Sequence, residues 1–543
     1  MEYLNQWSLV LIILLTVVPA VVVFILIRKT GGGTDHCYHL TLIEQIRQNR
    51  HRFVRRLDFL LIKPENIYPQ LIHWCLSFFK KDRAEVIGTY LSVLFMLLSA
   101  GMLVGFTYLI YPHVSAYTSL PSNVFVAGVL AIYVLVPNAY SSSNAKNKGM
   151  SGRSVGLFLC EMYLYLMILY VLGEGSWLLL PAIGVVTIIL MSNIFAMQFI
   201  LFYSILLSLF FWNGMFLIVS AAGAVVFMAI LPRYSICYYK SQWEHKRDYC
   251  NYISEHFLLR TRASIWRDFV WEFWLIARNR FGKTPTGISG LQYIYYNSVV
   301  IVLIAIPAVT VTLIAMAFWF FDSPVSLIPT FASLNFLLIP ICAALLIFWA
   351  TSFRKTRFLG EPERYVEITS GLLSIVAGLI LFPHPLLYFL FLGFSVAFVS
   401  AHLFMYIRFL RNRRSDSTAK IIDRIHQVLL VEQENLDKPI RILSNNLQHS
   451  KSLLDVRFSC FWGNTLPEFI AGIRFSEALG EFPLLAPFAI YAVAKDYEID
   501  YLVIDLNEIP EPESIMADKN VSMIGMITEG PLHLYRIDWA MTA

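Results

Sequence analysis

Eleven stretches of this chain are each about twenty residues long, mainly apolar and nearly free of charge. They lie at residues 8–27, 87–111, 123–138, 154–172, 176–191, 194–212, 214–231, 297–320, 327–349, 367–383 and 386–408. A helix of about 20 apolar residues crosses the hydrocarbon layer of a bilayer, and backbone in lipid must satisfy its own hydrogen bonds. The expected fold is therefore a polytopic α-helical membrane protein. Composition agrees: 57% of residues are hydrophobic and 15% charged, where soluble domains carry about a quarter charged. The first segment has neither a basic n-region nor an A-x-A site before Arg28, so it reads as a retained helix and not a signal peptide. Seven cysteines without C-x-x-C spacing point to neither a zinc site nor a disulfide framework. Cys37 and Cys75 share a loop, and a bridge between them stays open.

Three long polar segments, 28–86, 232–296 and the tail from 409, interrupt the helices, with a shorter one at 350–366. With eleven helices, all four fall on one side of the membrane. In the first loop, Leu40, Leu42, Ile43 and Ile46 form an apolar stripe at helical spacing. Ile72, Trp74, Cys75, Phe78 and Phe79 follow Tyr68-Pro69. Such amphipathic pieces are expected to lie in the headgroup plane. The second loop, with Trp266, Trp271, Trp274, Arg267, Arg278 and Arg280, has an interfacial composition. From about 415 the pattern alternates: 418–434 and 485–494 read as helical, 440–443, 501–504 and 532–537 as strands. The chain thus divides into a membrane part, 1–410, carrying loops 28–86 and 232–296, and a small soluble α/β domain, 411–543. No nucleotide-binding glycine motif and no internal repeat is seen, and no nucleic-acid partner is expected.

Polar residues at the membrane boundary carry the candidate chemistry. Asp35, eight residues past the first segment, stands in Gly33-Thr34-Asp35-His36-Cys37-Tyr38-His39. It reads either as the start of the next helix or as a base, or a ligand for a divalent cation (Mg or Mn), with His36 and His39 assisting. Tyr68-Pro69 opens a helix in which His73 lies one turn along, which is ordinary helix-start chemistry or a headgroup-level contact. In the loop Gly360-Glu361-Pro362-Glu363-Arg364-Tyr365-Val366-Glu367, preceded by Arg354, Lys355 and Arg357, three carboxylates and four cations stand together, and a charged connector is the plain reading. The alternative has Arg364, with Tyr365 beside it, hold a phosphate while Glu361 or Glu363 helps a metal or positions an acceptor.

These residues resemble something known. An Asp just past the first helix, a long loop of two interfacial helices, a run of seven helices and a second large loop are similar to the GT-C glycosyltransferases. That superfamily includes oligosaccharyltransferase catalytic subunits, protein O-mannosyltransferases and the aminoarabinose transferases of lipid A. The match rests on Gly33–Leu40 followed by Tyr68-Pro69-Gln70-Leu71-Ile72-His73. The resemblance implies a polyprenyl-phosphate or polyprenyl-diphosphate sugar donor, a glycan, lipid or protein acceptor, and inverting transfer. Asp35 would then orient or deprotonate the acceptor, while Arg357, Arg364 and basic residues of loop 232–296 stabilise the leaving phosphate. The chain departs from the family in lacking a W-W-D-x-G-type motif and a paired acidic residue beside Asp35.

The resemblance places the long loops and the tail outside the cytoplasm. The positive-inside rule points the other way, because Lys146, Lys148 and Arg153 stand in a short loop on that face. A cationic face that holds lipid phosphates reconciles the two. Two rivals remain from the sequence: a lipid-linked glycan flippase or polymerase, for which Glu161 is the main intramembrane charge, and a non-catalytic membrane scaffold whose tail binds a partner.

Overall fold

The computed structural model describes residues 2–30, 34–136, 150, 152–248, 274, 278, 298–320, 334–353, 356, 359, 362–414, 417–463, 469–479, 484–515, 521–528 and 530–539. Among them are four apolar helices long enough to cross a membrane and seven shorter ones, and these fall on the eleven segments read from the sequence. The chain is a polytopic helical membrane protein with a small C-terminal sheet. It separates into two compact units.

The first unit takes Met1–Gly31, Thr89–Ile230 and Leu258–Phe409. Its helices are α1 (Glu2–Thr30), α4 (Lys81–Val114) from Thr89 on, α5 (Ser122–Val134), α6 (Gly152–Val171), α7 (Leu179–Ser192), α8 (Ile194–Phe210), α9 (Met215–Ile230), α11 (Ser298–Ile304), α12 (Pro307–Phe320), α13 (Asn335–Thr351), α14 (Glu363–Glu367), α15 (Ser370–Leu381) and α16 (Pro385–Arg414) as far as Phe409. Burial sorts them. Of the most apolar window of α6, 67% is buried, against 28% for α1 and 17% for α16. α1 and α16 therefore turn Leu9, Ile13, Val18, Leu386, Phe389 and Phe394 outward. In water such a surface is a liability; against acyl chains it is matched. The segment expected as one helix over 297–320 is two, because Pro307 removes a donor and disfavours helix in the residue before it.

The second unit takes Gly32–Gly88, Leu231–Phe257 and Leu410–Ala543. Sequence order put the first loop with the membrane helices, whereas its residues fold with the tail. The tail sheet has the order β2-β1-β5-β7-β6, with β1 (Ile440–Ser444) parallel to β2 (Phe458–Cys460) and β5 (Tyr501–Asp505). β7 (Leu532–Asp538) runs antiparallel to β5 and to β6 (Ser522–Ile527), and a small hairpin of β3 (Phe469–Ile470) and β4 (Ile473–Arg474) stands apart. The first loop extends the sheet. Leu60 pairs in parallel with Cys460; the Cys460 amide donates to the Phe59 carbonyl at 3.0 Å, and the Leu61 amide donates to the Cys460 carbonyl at 3.0 Å.

Side chains alternate across this sheet with a period of two. On one face Ile440, Ile442, Tyr501, Val503 and Leu534 meet Tyr38, Leu42 and Ile46 of α2 (Thr34–Gln48) and Ile425 and Leu429 of α17 (Ser417–Glu434). On the other face Leu443, Leu502, Ile504 and Ile537 meet Ile490 and Val493 of the helix Pro487–Asp496. The expectation that the Leu42–Ile46 stripe lies against lipid is thus corrected: it is fully buried in protein. Gln70 locks the first loop to itself, because its amide accepts from the Val54 N–H and donates to the Val54 carbonyl, both at 2.8 Å. α10 (Pro232–Asp248) joins through the Ser241 hydroxyl, which accepts from the Ile67 amide at 2.7 Å.

Because loop and tail share one core, Phe59→Ala is expected to cost about 3–5 kcal/mol and to open both together. Limited proteolysis of the full-length protein checks this: cleavage in 34–70 and 440–510 should rise in parallel. A tail that stays resistant while the loop is cut contradicts a shared core.

Candidate functional site

The first unit holds a cleft of about 410 Å³, its open mouth included, lined by Arg153, Gly156, Leu157, Cys160, Asn193, Phe195, Ala196, Arg364, Glu367 and Ile368. Each wall follows from helical spacing. On α6, residues 153, 156, 157 and 160 share one face. On α14, Arg364 and Glu367 face the cleft, with Ile368 at the C-cap, while Glu363, Tyr365 and Val366 turn to the core, where they are buried. The third wall is the turn between α7 and α8, where Asn193 alone separates two apolar helices.

Asn193 makes that turn. Its backbone is extended, its side-chain oxygen accepts from the Ala196 amide at 3.0 Å to cap α8, and its amide donates to the Gly152 carbonyl at 2.9 Å. The approach of α6 depends on Gly156, since a Cβ there would stand 2.8 Å from Asn193 Cβ and Cγ. Arg364 lies over the Phe195 ring, its Cζ 5.6 Å from the centroid. Two guanidiniums, one carboxylate and an apolar flank of Leu157, Phe195 and Ile368 therefore meet at helix ends. Arginine forks match phosphate oxygens, and the flank suits an apolar chain attached to that phosphate.

The sequence candidates divide between the units. Arg364 lines the cleft. Tyr365 does not: it is fully buried, its ring 4.8 Å from that of Phe195, and its hydroxyl donates to the Leu359 carbonyl at 3.4 Å. Glu363 is buried and accepts from the Ser298 hydroxyl at 2.7 Å. The Asp35 side chain, Arg357 and Glu361 lie outside the described residues, although the Asp35 backbone forms part of the first turn of α2.

The remaining candidates belong to the second unit. His36 Nε2 lies 3.0 Å from Glu85 Oε1. His39 Nδ1 meets His73 Nε2 of α3 (Leu71–Ser77) at 2.8 Å, so one ring donates its N–H to the lone pair of the other. Tyr68 stands edge-on to both rings, and its carbonyl accepts from the Tyr234 hydroxyl at 3.0 Å. His39 and His73 are both buried, so His73 contributes to packing and not to an open headgroup pocket. Burial holds the His73 pKa well below the ordinary 6.5, the neighbouring His39 lowers it further, and the Pro69 carbonyl acts weakly in the other direction. Cys37 and Cys75 are free thiols. Among the described residues no three His, Cys, Asp or Glu side chains form a metal cage. Of the imidazoles near Asp35 in sequence, His36 is engaged with Glu85 and His39 with His73. His36 and His39 are nitrogen donors, whereas Mg or Mn prefers oxygen, and the Asp35 side chain lies outside the described residues.

Sequence reasoning passed over Arg153 and Asn193 as site residues, and it placed Glu367 in the charged loop without giving it a role. The available signals were a small-residue face on α6 headed by an arginine, and a single Asn between two apolar runs.

Asn193→Ala is expected to lower stability by roughly 1–2 kcal/mol. Gly156→Ala should shift thermal unfolding in detergent in the same direction. Gly184→Ala, whose Cβ meets nothing within 4 Å, should not; equal losses in both glycine variants would contradict the close approach. For His73 the sign is set by its depressed pKa. As pH falls through 6.5 the unfolded chain takes up a proton that the folded chain refuses. Stability should therefore fall below pH 6.5, by at most ~1.4 kcal/mol per pH unit. His73→Gln should flatten that slope in a pH series of unfolding midpoints, and an unchanged slope would contradict it.

No protein-family model matches this chain, and no curated protein matches it significantly in sequence. Among solved structures it is similar to ArnT from Cupriavidus metallidurans bound to undecaprenyl phosphate, at 11% identity over 96% of this chain and 97% of that one, with a TM-score of 0.40. It is also similar to the Archaeoglobus fulgidus oligosaccharyltransferase in complex with Zn and sulfate, at 13% identity over 96% of this chain and 72% of that one, with a TM-score of 0.46. Likenesses at this level assign neither a substrate nor a site residue.

Proposed function

We propose that this protein is a membrane glycosyltransferase that moves a sugar from a polyprenyl-phosphate or polyprenyl-diphosphate donor to a hydroxyl of a glycan, lipid or protein at the membrane surface. The observation that carries the reading is the cleft with Arg153 and Arg364 at helix ends beside an apolar flank. That cleft suits the phosphate of a lipid carrier at headgroup depth. The first-loop motif supports the transferase half of the proposal, with Asp35 as its base and the long loops and tail on the extracytoplasmic side.

The reaction is a single displacement. The acceptor oxygen attacks the anomeric carbon, its proton passes to the Asp35 carboxylate, and the anomeric carbon–oxygen bond breaks with its electron pair remaining on the lipid phosphate. The departing anion gains charge at the edge of a low-dielectric phase, where fixed guanidiniums stabilise it far more than they would in water. A divalent cation, if bound, would add Lewis-acid stabilisation of that anion.

A flippase or polymerase reading has one observation in its favour. Glu161 is buried within α6, where Tyr133 donates to its Oε1 at 3.3 Å, and transporters often use such carboxylates. Glu161→Gln should leave sugar transfer intact if the protein is a transferase, and loss of lipid movement alone would favour the rival.

Undecaprenyl phosphate is a direct probe for the cleft. Arg364→Ala should weaken its binding to purified full-length protein about tenfold or more, since charge-assisted hydrogen bonds are worth ~1.5–3 kcal/mol. Asp35→Asn should leave binding near wild type and abolish transfer from a radiolabelled polyprenyl-phosphate sugar. Unchanged binding in Arg364→Ala removes the cleft from the mechanism, and unchanged transfer in Asp35→Asn removes the base.

A further inference from the structure

Helix α10 has two faces of different chemistry. Tyr234, Ser235, Tyr238, Ser241 and Gln242 share one face at helical spacing, and all five are buried. Through that face the Ser241 hydroxyl accepts from the Ile67 amide and the Tyr234 hydroxyl donates to the Tyr68 carbonyl. On the opposite face stand Arg233, Ile236, Lys240, Trp243 and Arg247, all exposed, with Ile236 70% and Trp243 75% open. None of these five is acidic. Glu244 flanks them, 4.0 Å from Lys240, whose side chain is 74% exposed; a pair so open to solvent contributes little. Large apolar side chains turned outward are a liability in water. Among cations they match a bilayer interface, where indole rings sit at headgroup level and basic groups meet lipid phosphates.

Chain connectivity identifies the occupant. α9 is one of the apolar helices of the membrane part and turns Ile218, Val225 and Ile230 outward. Only Leu231 separates its end from the start of α10, so the first turn of α10 stands where the chain leaves hydrocarbon. The same pattern recurs where the chain enters the membrane. Phe78 and Phe79 are exposed, and Lys80 and Lys81 follow them at the start of the spanning helix α4. We infer that the outward face of α10 is a seat for anionic phospholipid headgroups. Ile236 and Trp243 enter the acyl boundary, while Arg233 and Lys240 meet the phosphates. Because the opposite face bonds the backbone of residues 67 and 68, the seat ties the first loop to the membrane surface. It depends on neither the cleft nor Asp35, so it stands or falls apart from the transferase reading.

The test places the full-length protein, one copy per disc, in phosphatidylcholine nanodiscs. Each disc carries a trace of a phospholipid with a diazirine beside its headgroup, either phosphatidylglycerol or phosphatidylcholine, and labelled peptides are mapped after irradiation. Residues 232–248 should be labelled about fivefold more by the phosphatidylglycerol probe, the enrichment that one cation near an anionic surface gives. Arg233→Gln combined with Lys240→Gln should bring the two probes level. Both positions are exposed, and the wild-type ratio is read without any variant, so a misfolded variant does not shelter the inference. Equal labelling of 232–248 by the two probes in wild type overturns it, leaving an interfacial helix without a choice of lipid. A preference that the double variant retains overturns it as well. So does absence of label on 232–248 from either probe while other segments are labelled, which leaves that face to a protein surface.

Discussion

Inside hydrocarbon a backbone amide has no water to bond, and that constraint orders the molecule. It forces the apolar chain into helices, and some polar side chains within the bundle find partners on other helices. Tyr163 bonds Ser204, which bonds Ser220 in turn, and Tyr203 donates to the Pro340 carbonyl. Other polar groups stand at the helix ends. Arg153 is the second residue of α6, Asn193 is a one-residue link, and α14 is a short helix between longer ones. The cleft is therefore where the fold permits one. Its precision comes from close packing, with Gly156 against Asn193, and not from a flexible loop.

The second unit answers a different need. Its sheet buries both faces, and the chain supplies covering helices from distant segments: α2 from the first loop, α17 and the helix Pro487–Asp496 from the tail. Pairing of Leu60 with Cys460 gives the edge next to β2 a partner, so a strand that would otherwise offer unpaired amides is covered within the same chain. The buried histidines fit this picture. One N–H shared between His39 and His73 satisfies a ring nitrogen of each and ties α2 to α3 beside Tyr68.

Much of this was legible in the sequence. The apolar segments, the strands around 440, 501 and 532, and the helices near 418–434 and 487–496 follow from length and period alone. The stripe Leu42, Ile43, Ile46 was legible as a helix face but not as to its partner, because an apolar stripe looks the same whether lipid or a sheet covers it. Strand β2, three residues long, is too short for its period to show. Arg364 was readable as a cation at a boundary, whereas Tyr365 beside it went to the core, since neighbours in a helix point about 100° apart. Arg153 and Glu367 are charged residues near apolar helices, and only the packing of α6 against the Asn193 turn marks them as one site.

The most direct measurement is photocrosslinking with an undecaprenyl phosphate analogue that carries a diazirine next to the phosphate, followed by mapping of the labelled peptides. Labels on 153–160, 193–196 and 364–368, displaced by unmodified undecaprenyl phosphate, are the predicted result. Displaceable labels confined to other segments, or labelling at 153–160 and 364–368 that the unmodified lipid does not compete, would contradict the claim that this cleft holds the lipid phosphate.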